Sequence, residues 1–195
     1  MQQLFMDSQY WNDRYLNNET GWDMGQVSPP LKAYIDQVEN KQLRILIPGG
    51  GNSYEADYLH QQGFSDVTVL DIAPVVAERL RQRFEGTGIK VVEGDFFVHA
   101  AQYDLVLEQT FFCALEPGLR RQYVEHMHRL IVPGGHLAGV LFNWQFPQEG
   151  PPFGGDIHEY REIFSPYFEL YTMEACYNSH PARQGKEVFI NFIPK

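Results

Sequence analysis

Three acidic positions and one glycine turn carry the chemistry this sequence suggests. Leu43-Arg-Ile-Leu-Ile-Pro-Gly-Gly-Gly-Asn-Ser-Tyr54 is an apolar run that breaks at Pro48 into Gly49, Gly50 and Gly51, then resumes with residues able to start a helix. Such a turn lets a ligand approach bare backbone, with helix N–H groups aimed at it. About 20 residues on, Asp71 ends Val67–Leu70, where a carboxylate can accept from both hydroxyls of a ribose. Asp95 and Phe96 follow Val91-Val-Glu-Gly94, setting a carboxylate that can accept from an adenine amino group next to a ring beside the base. Glu108 and Gln109 follow Tyr103–Leu107, at the end where a reacting group is expected.

In a dinucleotide fingerprint the third glycine lets the helix pack closely on the strand, and here that position is Tyr54. A dinucleotide is therefore disfavoured. A looser G-x-G-x-x turn suits a cofactor whose adenosine and amino-acid ends straddle it, namely S-adenosylmethionine. Read one at a time, the same residues also fit an ordinary glycine-rich turn and solvated strand-end aspartates.

These positions need a frame, and the hydrophobic pattern supplies one. Apolar runs at Leu43–Ile47, Val67–Leu70, Ile89–Val92, Tyr103–Leu107 and His136–Phe142 alternate with helical spacing over Tyr54–Gln61, Pro74–Phe84 and Gly118–Leu130. This predicts an α/β fold with a parallel sheet covered on both faces and right-handed crossovers, a doubly wound Rossmann-like sheet with ligands beyond the strands' carboxyl ends. After Pro166 the pattern changes. Tyr167–Cys176 and Lys186–Ile193, joined by a turn-rich stretch, predict a terminal antiparallel hairpin, an ending typical of S-adenosylmethionine methyltransferases. Tyr10, Trp11, Tyr15 and Trp22 recur at spacings nearer helical than strand-like, so residues 1–40 read as a helical lid on a single domain spanning 1–195. Pro147–Gly155 reads as a loop.

Composition narrows the partners. A 195-residue chain with 44% hydrophobic residues can bury one substantial core. A net charge of −10 argues against binding a phosphate backbone. Cys113 and Cys176 are too few for a disulfide framework, and neither they nor the histidines have metal-ligand spacing, so no metal is assigned. The N-terminal residues lack a signal-peptide pattern and no apolar run is long enough for a bilayer, which predicts a cytoplasmic protein acting on a small molecule, with no nucleic-acid or membrane partner.

Trp11 and Tyr15 with Thr20-Gly-Trp-Asp-Met-Gly-Gln-Val-Ser-Pro-Pro30, Ile47-Pro-Gly-Gly-Gly51, Gly94-Asp-Phe-Phe97, Thr110-Phe-Phe-Cys-Ala-Leu-Glu-Pro117, Gly150-Pro-Pro-Phe153 and Arg183-Gln-Gly-Lys-Glu187 together resemble the thiopurine methyltransferase family, and most of all its plant-type branch of methyl halide and thiol methyltransferases. The resemblance covers nearly the whole chain. It implies a class I S-adenosylmethionine-dependent fold in which Trp11, Tyr15 and Trp22 contact the cofactor from the lid, Gly49 and Gly51 face its methionine end, Asp71 holds the ribose, and Asp95 with Phe96 holds the adenine. A monomer is expected by the same likeness. Three positions depart from the pattern: Tyr15 stands where tryptophan is common, Glu108-Gln109 where an Asp-Tyr pair is usual, and Ser53 where a small turn residue is usual.

Methyl transfer from a sulfonium is an in-line displacement that needs a positioned nucleophile and exclusion of water. A nucleophile that is already an anion, such as a thiolate, sulfide, halide or thiocyanate, needs no strong base, so no catalytic residue is assigned. Tyr10, Phe111, Phe112, Phe153 and Arg183 are the candidate substrate contacts, with Phe111 and Phe112 divided between pocket and core. Methylation of another heteroatom, such as a metalloid oxyanion, is the alternative reaction. A non-catalytic S-adenosylmethionine sensor and a dinucleotide oxidoreductase are the alternatives from other classes.

Overall fold

Seven strands in the order β3-β2-β1-β4-β5-β7-β6 form one sheet in a computed structural model that describes residues 6–195. The strands are β1 Arg44–Pro48, β2 Asp66–Asp71, β3 Lys90–Glu93, β4 Tyr103–Gln109, β5 Ile131–Phe142, β6 Phe168–Ala175 and β7 Glu187–Pro194. The first five are parallel, and β7 runs antiparallel between β5 and β6. The predicted doubly wound sheet with a terminal hairpin is thus the observed one.

Two buried layers follow from the alternation of side chains along the central strands. Ile45, Ile47, Leu105 and Leu107 pack with helices α2 Pro29–Ile35, α3 Tyr54–Gln61 and α4 Pro74–Arg83. Leu46 and Val106 pack on the other face with α5 Arg120–Leu130 and α6 Ile157–Phe164. Strand β5 starts five residues earlier than the apolar run suggests. Its partner β4 pairs Tyr103 with Ile131 but Leu105 with His136, so Pro133-Gly134-Gly135 bulges outward. Gly135 has room for no side chain, because a Cβ there would lie 2.8 Å from the Asp104 carbonyl.

Helix α6 has no counterpart among the sequence expectations. Its signal is present, since Asp156 accepts from the His158 and Glu159 amides as an N-cap and Tyr160, Ile163 and Phe164 form the buried stripe. The lid also divides. Helix α1 Ser8–Leu16 covers the carboxyl ends of the strands, tied down by Ser8 Oγ donating to the Ile72 carbonyl and Val75 N donating to Asn12 Oδ1. Helix α2, inside the stretch read as lid, is a core helix whose Leu31 and Ile35 are fully buried. Residues 1–5 of the expected lid lie outside the described residues.

Candidate functional site

Beyond the carboxyl ends of β1, β2 and β4 lies a cavity of about 1030 Å³, bordered by the lid, the glycine turn, the Phe111 turn and the 146–152 loop. Among the candidate residues, Trp11, Tyr15, Trp22, Gly49, Asp71, Asp95, Phe96, Phe111 and Arg183 line it.

The glycine turn is dictated by its neighbours. Gly49 and Gly51 have φ of +57° and +53°, the left-handed region where a side chain is strained. A Cβ on Gly49 would lie 2.3 Å from the Phe111 ring, and one on Gly51 would lie 2.6 Å from Tyr15 Oη. The bare turn thus lets both rings close down on it. Gly51 lies behind the cavity surface, where its amide donates to Asp71 Oδ2 at 2.9 Å, and Ala73 N donates to Asp71 Oδ1 at 2.9 Å. Burial raises the Asp71 carboxyl above its ordinary value, and these two N–H bonds oppose the rise.

The lid packs edge to face. Trp22 meets Trp11 and Tyr15 at centroid separations of 5.6 and 5.7 Å. Trp11 and Tyr15 are one helical turn apart on α1, so both face the cavity, while Tyr10 turns away and accepts from Arg14 at 2.8 Å. Asp95 caps the single turn Phe96–Val98 through the Phe97 amide, and Phe96 packs against Phe111 at 5.0 Å.

Several expected contacts are corrected. Glu108 is fully buried under the cavity floor, where Oε1 accepts from the Phe111 and Phe112 amides at 2.8 Å each and Oε2 accepts from Tyr123 Oη at 2.7 Å. Burial pushes its carboxyl up to about 7, and the Phe112 amide and Tyr123 hydroxyl pull the other way. Its period-two partner on β4 is Val106, so it points into the α5 layer. Gln109 does not line the cavity, and its Oε1 is buried without a partner among the described residues. Phe112 is core, packed between Tyr123 and Tyr160. Phe153 does not line the cavity, and its amide donates to the Cys113 carbonyl at 2.7 Å. Arg183 does line the cavity, and at 7% exposure it also pairs with Glu187 at 3.4 Å and donates to the Trp22 carbonyl at 2.7 Å, tying the hairpin turn to the lid.

Sequence reasoning missed Asp23, Phe146 and Lys186, which border the cavity together with Thr110 and Cys113 of the run Thr110–Pro117. Thr110 is a β-branched residue at φ +60°, held there while Glu108 grips the two following amides. The Cys113 thiol is pushed up to about 12 by burial and by the nearby Glu108 carboxylate. Six carboxylates (Asp7, Glu19, Asp23, Asp71, Asp95 and Glu116) and three permanent cations (Arg14, Arg183 and Lys186) border the cavity. The excess of acids suits a cationic ligand, and the bare turn, the strand-end aspartates and the stacked rings fit an S-adenosyl group in shape and polarity.

This sheet order, with one antiparallel strand inserted beside the last and a glycine turn after the first, defines the class I S-adenosylmethionine-dependent methyltransferases, and the protein is an enzyme of that class. A solved neighbour shares the fold: the 1,6-didemethyltoxoflavin-N1-methyltransferase of Burkholderia thailandensis aligns with a TM-score of 0.77 over 96% of this chain and 87% of its own, at 17% identity. The profile of the thiopurine S-methyltransferase (TPMT) family matches residues 6–192, and the chain belongs to that family. Among curated relatives, a probable thiol methyltransferase 2 of Arabidopsis thaliana is 29% identical over 80% of this chain and 71% of its own. Thiocyanate methyltransferase 1 of the same plant is 26% identical over 91% of this chain and 81% of its own. Among the described residues no helix is long and apolar enough to cross a membrane.

Proposed function

We propose that the enzyme transfers the methyl group to a small anionic nucleophile, a thiolate or sulfide first and a halide or thiocyanate second, as a cytoplasmic monomer. Bound S-adenosylmethionine supplies an electrophilic methyl group on a sulfonium. The observation that carries the reading is the makeup of the wall away from Asp71 and Asp95: Phe111, Leu115, Phe146, Pro151 and Pro152 are apolar, with the cations Arg183 and Lys186 and the carboxylate Glu116 beside them. Apolar walls strip hydration from an anion and raise its reactivity, and the cations offset part of the cost of drawing it in. Glu108 is taken up by backbone amides and Cys113 stays protonated, so the reading asks neither to remove a proton.

On the cofactor side, Asp71 takes the ribose hydroxyls, Asp95 and Phe96 take the adenine, and Gly49 leaves room for the methionine end. Trp11, Tyr15 and Trp22 close over the sulfonium, each contributing roughly 0.5–2 kcal/mol of cation–π attraction to binding. The names of the two Arabidopsis relatives support the sulfur acceptors. The test is incubation of purified protein and S-adenosylmethionine with sulfide, a small thiol, thiocyanate and iodide, with volatile methylated product measured by gas chromatography. Product from sulfide or thiol at the highest kcat/KM supports the proposal. Tight binding of S-adenosylhomocysteine with product from none of the four would overturn it.

A further inference from the structure

The methionine end of the cofactor brings an α-ammonium as well as the sulfonium, and one carboxylate of the lid stands over the residues that follow the glycine turn. Asp23 follows Trp22 on the lid and borders the cavity. Its Oδ2 accepts from the Asn52 side-chain amide and from Tyr54 Oη, the latter at 3.2 Å, and its Oδ1 accepts from Gly25 N at 2.7 Å. The carboxylate is therefore pinned over residues 52–54, which continue the glycine turn into α3. A carboxylate offers about four acceptor positions, so three partners leave one open, on Oδ1.

The other carboxylates that border the cavity on the lid and turn side have other partners or, for Asp71, are assigned to the ribose. Asp71 accepts from Gly51 and Ala73, Glu19 lies 3.7 Å from Arg14, and Asp7 caps α1 through the Tyr10 amide.

We infer that Asp23 binds the α-ammonium group of the cofactor and so fixes the methionine end against the glycine turn. The inference rests on the reading that this turn faces the methionine end. The ammonium keeps its charge through methyl transfer, so Asp23 holds the substrate and product forms of the cofactor equally. It is a binding residue, and the motif Thr20-Gly-Trp-Asp-Met24 carried it unnoticed in the sequence.

The test is titration calorimetry of the full chain and of Asp23→Asn with S-adenosylmethionine, S-adenosylhomocysteine and 5′-methylthioadenosine, which lacks the amino-acid end. Loss of one charge-assisted bond should weaken both S-adenosyl ligands by the same factor, about tenfold or more, and leave 5′-methylthioadenosine within about twofold. An equal loss for all three would mean that Asp23 only tethers the lid, and an unchanged set would mean that it touches nothing; either overturns the inference. Should Asp23→Asn not fold, the wild type decides with the desamino analogue of S-adenosylhomocysteine, expected to bind about tenfold or more weakly. Equal affinity for the analogue overturns the Asp23 assignment alone, whereas a wild type that binds no S-adenosyl ligand overturns the cofactor reading beneath it.

Discussion

Replacing Glu108 with glutamine should make the stability of this enzyme less dependent on pH. Glu108 is fully buried, and burial raises its carboxyl from an ordinary 4.5 to about 7. A raised carboxyl binds its proton more tightly in the folded than in the unfolded chain. Its contribution is therefore fully present below pH 4.5 and is lost as pH rises through 7, beyond which both states are ionised. The interval between 4.5 and about 7 corresponds to about 3 kcal/mol. Glutamine keeps an oxygen for the Phe111 and Phe112 amides and removes the buried charge, but Tyr123 must then accept instead of donate, at a cost of about 1 kcal/mol. The net expectation is no gain at pH 4.5 and a gain of about 2 kcal/mol at pH 8, or about 4–8 °C in Tm. Urea titrations of both proteins at pH 4.5, 6 and 8 measure it. Asp71, Glu55 and Glu187 are raised by burial as well, so the wild type has a background slope and the quantity that counts is the difference between the two proteins. A difference that does not change with pH would refute the placing of an ionisable carboxylate in the floor.

Gly49→Ala should abolish cofactor binding measured by calorimetry and cost more than about 1–2 kcal/mol, because left-handed backbone strain adds to the clash with Phe111. Arg120→Met should cost about 2 kcal/mol and raise the acceptor's KM more than the cofactor's Kd. Arg120 is 3% exposed and joins Gly154 O at 2.6 Å to Glu159 at 2.7 Å, which anchors the chain just after the 146–152 loop, on the proposed acceptor side. At pH 8 a disulfide reagent should modify native Cys113 about a thousandfold more slowly than a free thiol from its thiolate fraction alone, and denaturant should release it. Thr110→Gly should relieve the strain at φ +60° and raise Tm by about 2–4 °C while kcat falls, a combination that a purely structural turn would not give.

The sheet was legible because its signal is local: every central strand is a short apolar run bounded by turn residues, and β1 through β4 lie within a residue or two of where the pattern puts them. Parity could have gone further. On β4, Val106 and Glu108 share a face, which aims Glu108 at α5 and away from any ligand above the strand end. Helical spacing likewise separates Tyr10 from the Trp11 and Tyr15 stripe. Helix α6 was hidden by the proline-rich loop before it, although its N-cap and apolar stripe are readable. The partners of Arg183, Asp23 and Arg120 were beyond reach. Each acts on a residue far along the chain, at separations of 161 residues for Arg183 and Trp22 and 34 for Arg120 and Gly154, and no local period encodes such pairs.

The charges around the cavity also bear on how a turnover ends. In the proposed complex the sulfonium is attracted by Trp11, Tyr15 and Trp22 and by the excess of carboxylates around the cavity, but it becomes a neutral thioether when the methyl group leaves. That part of the binding disappears with the chemistry, while contacts to ribose, adenine and ammonium persist. The spent cofactor is therefore held by its fixed handles alone. On the acceptor side the proposed anion would become neutral in the same step, so Arg183 and Lys186 would lose their attraction for it too. Under the proposed reaction a single transfer thus weakens both halves of the complex at once, which favours release of both products.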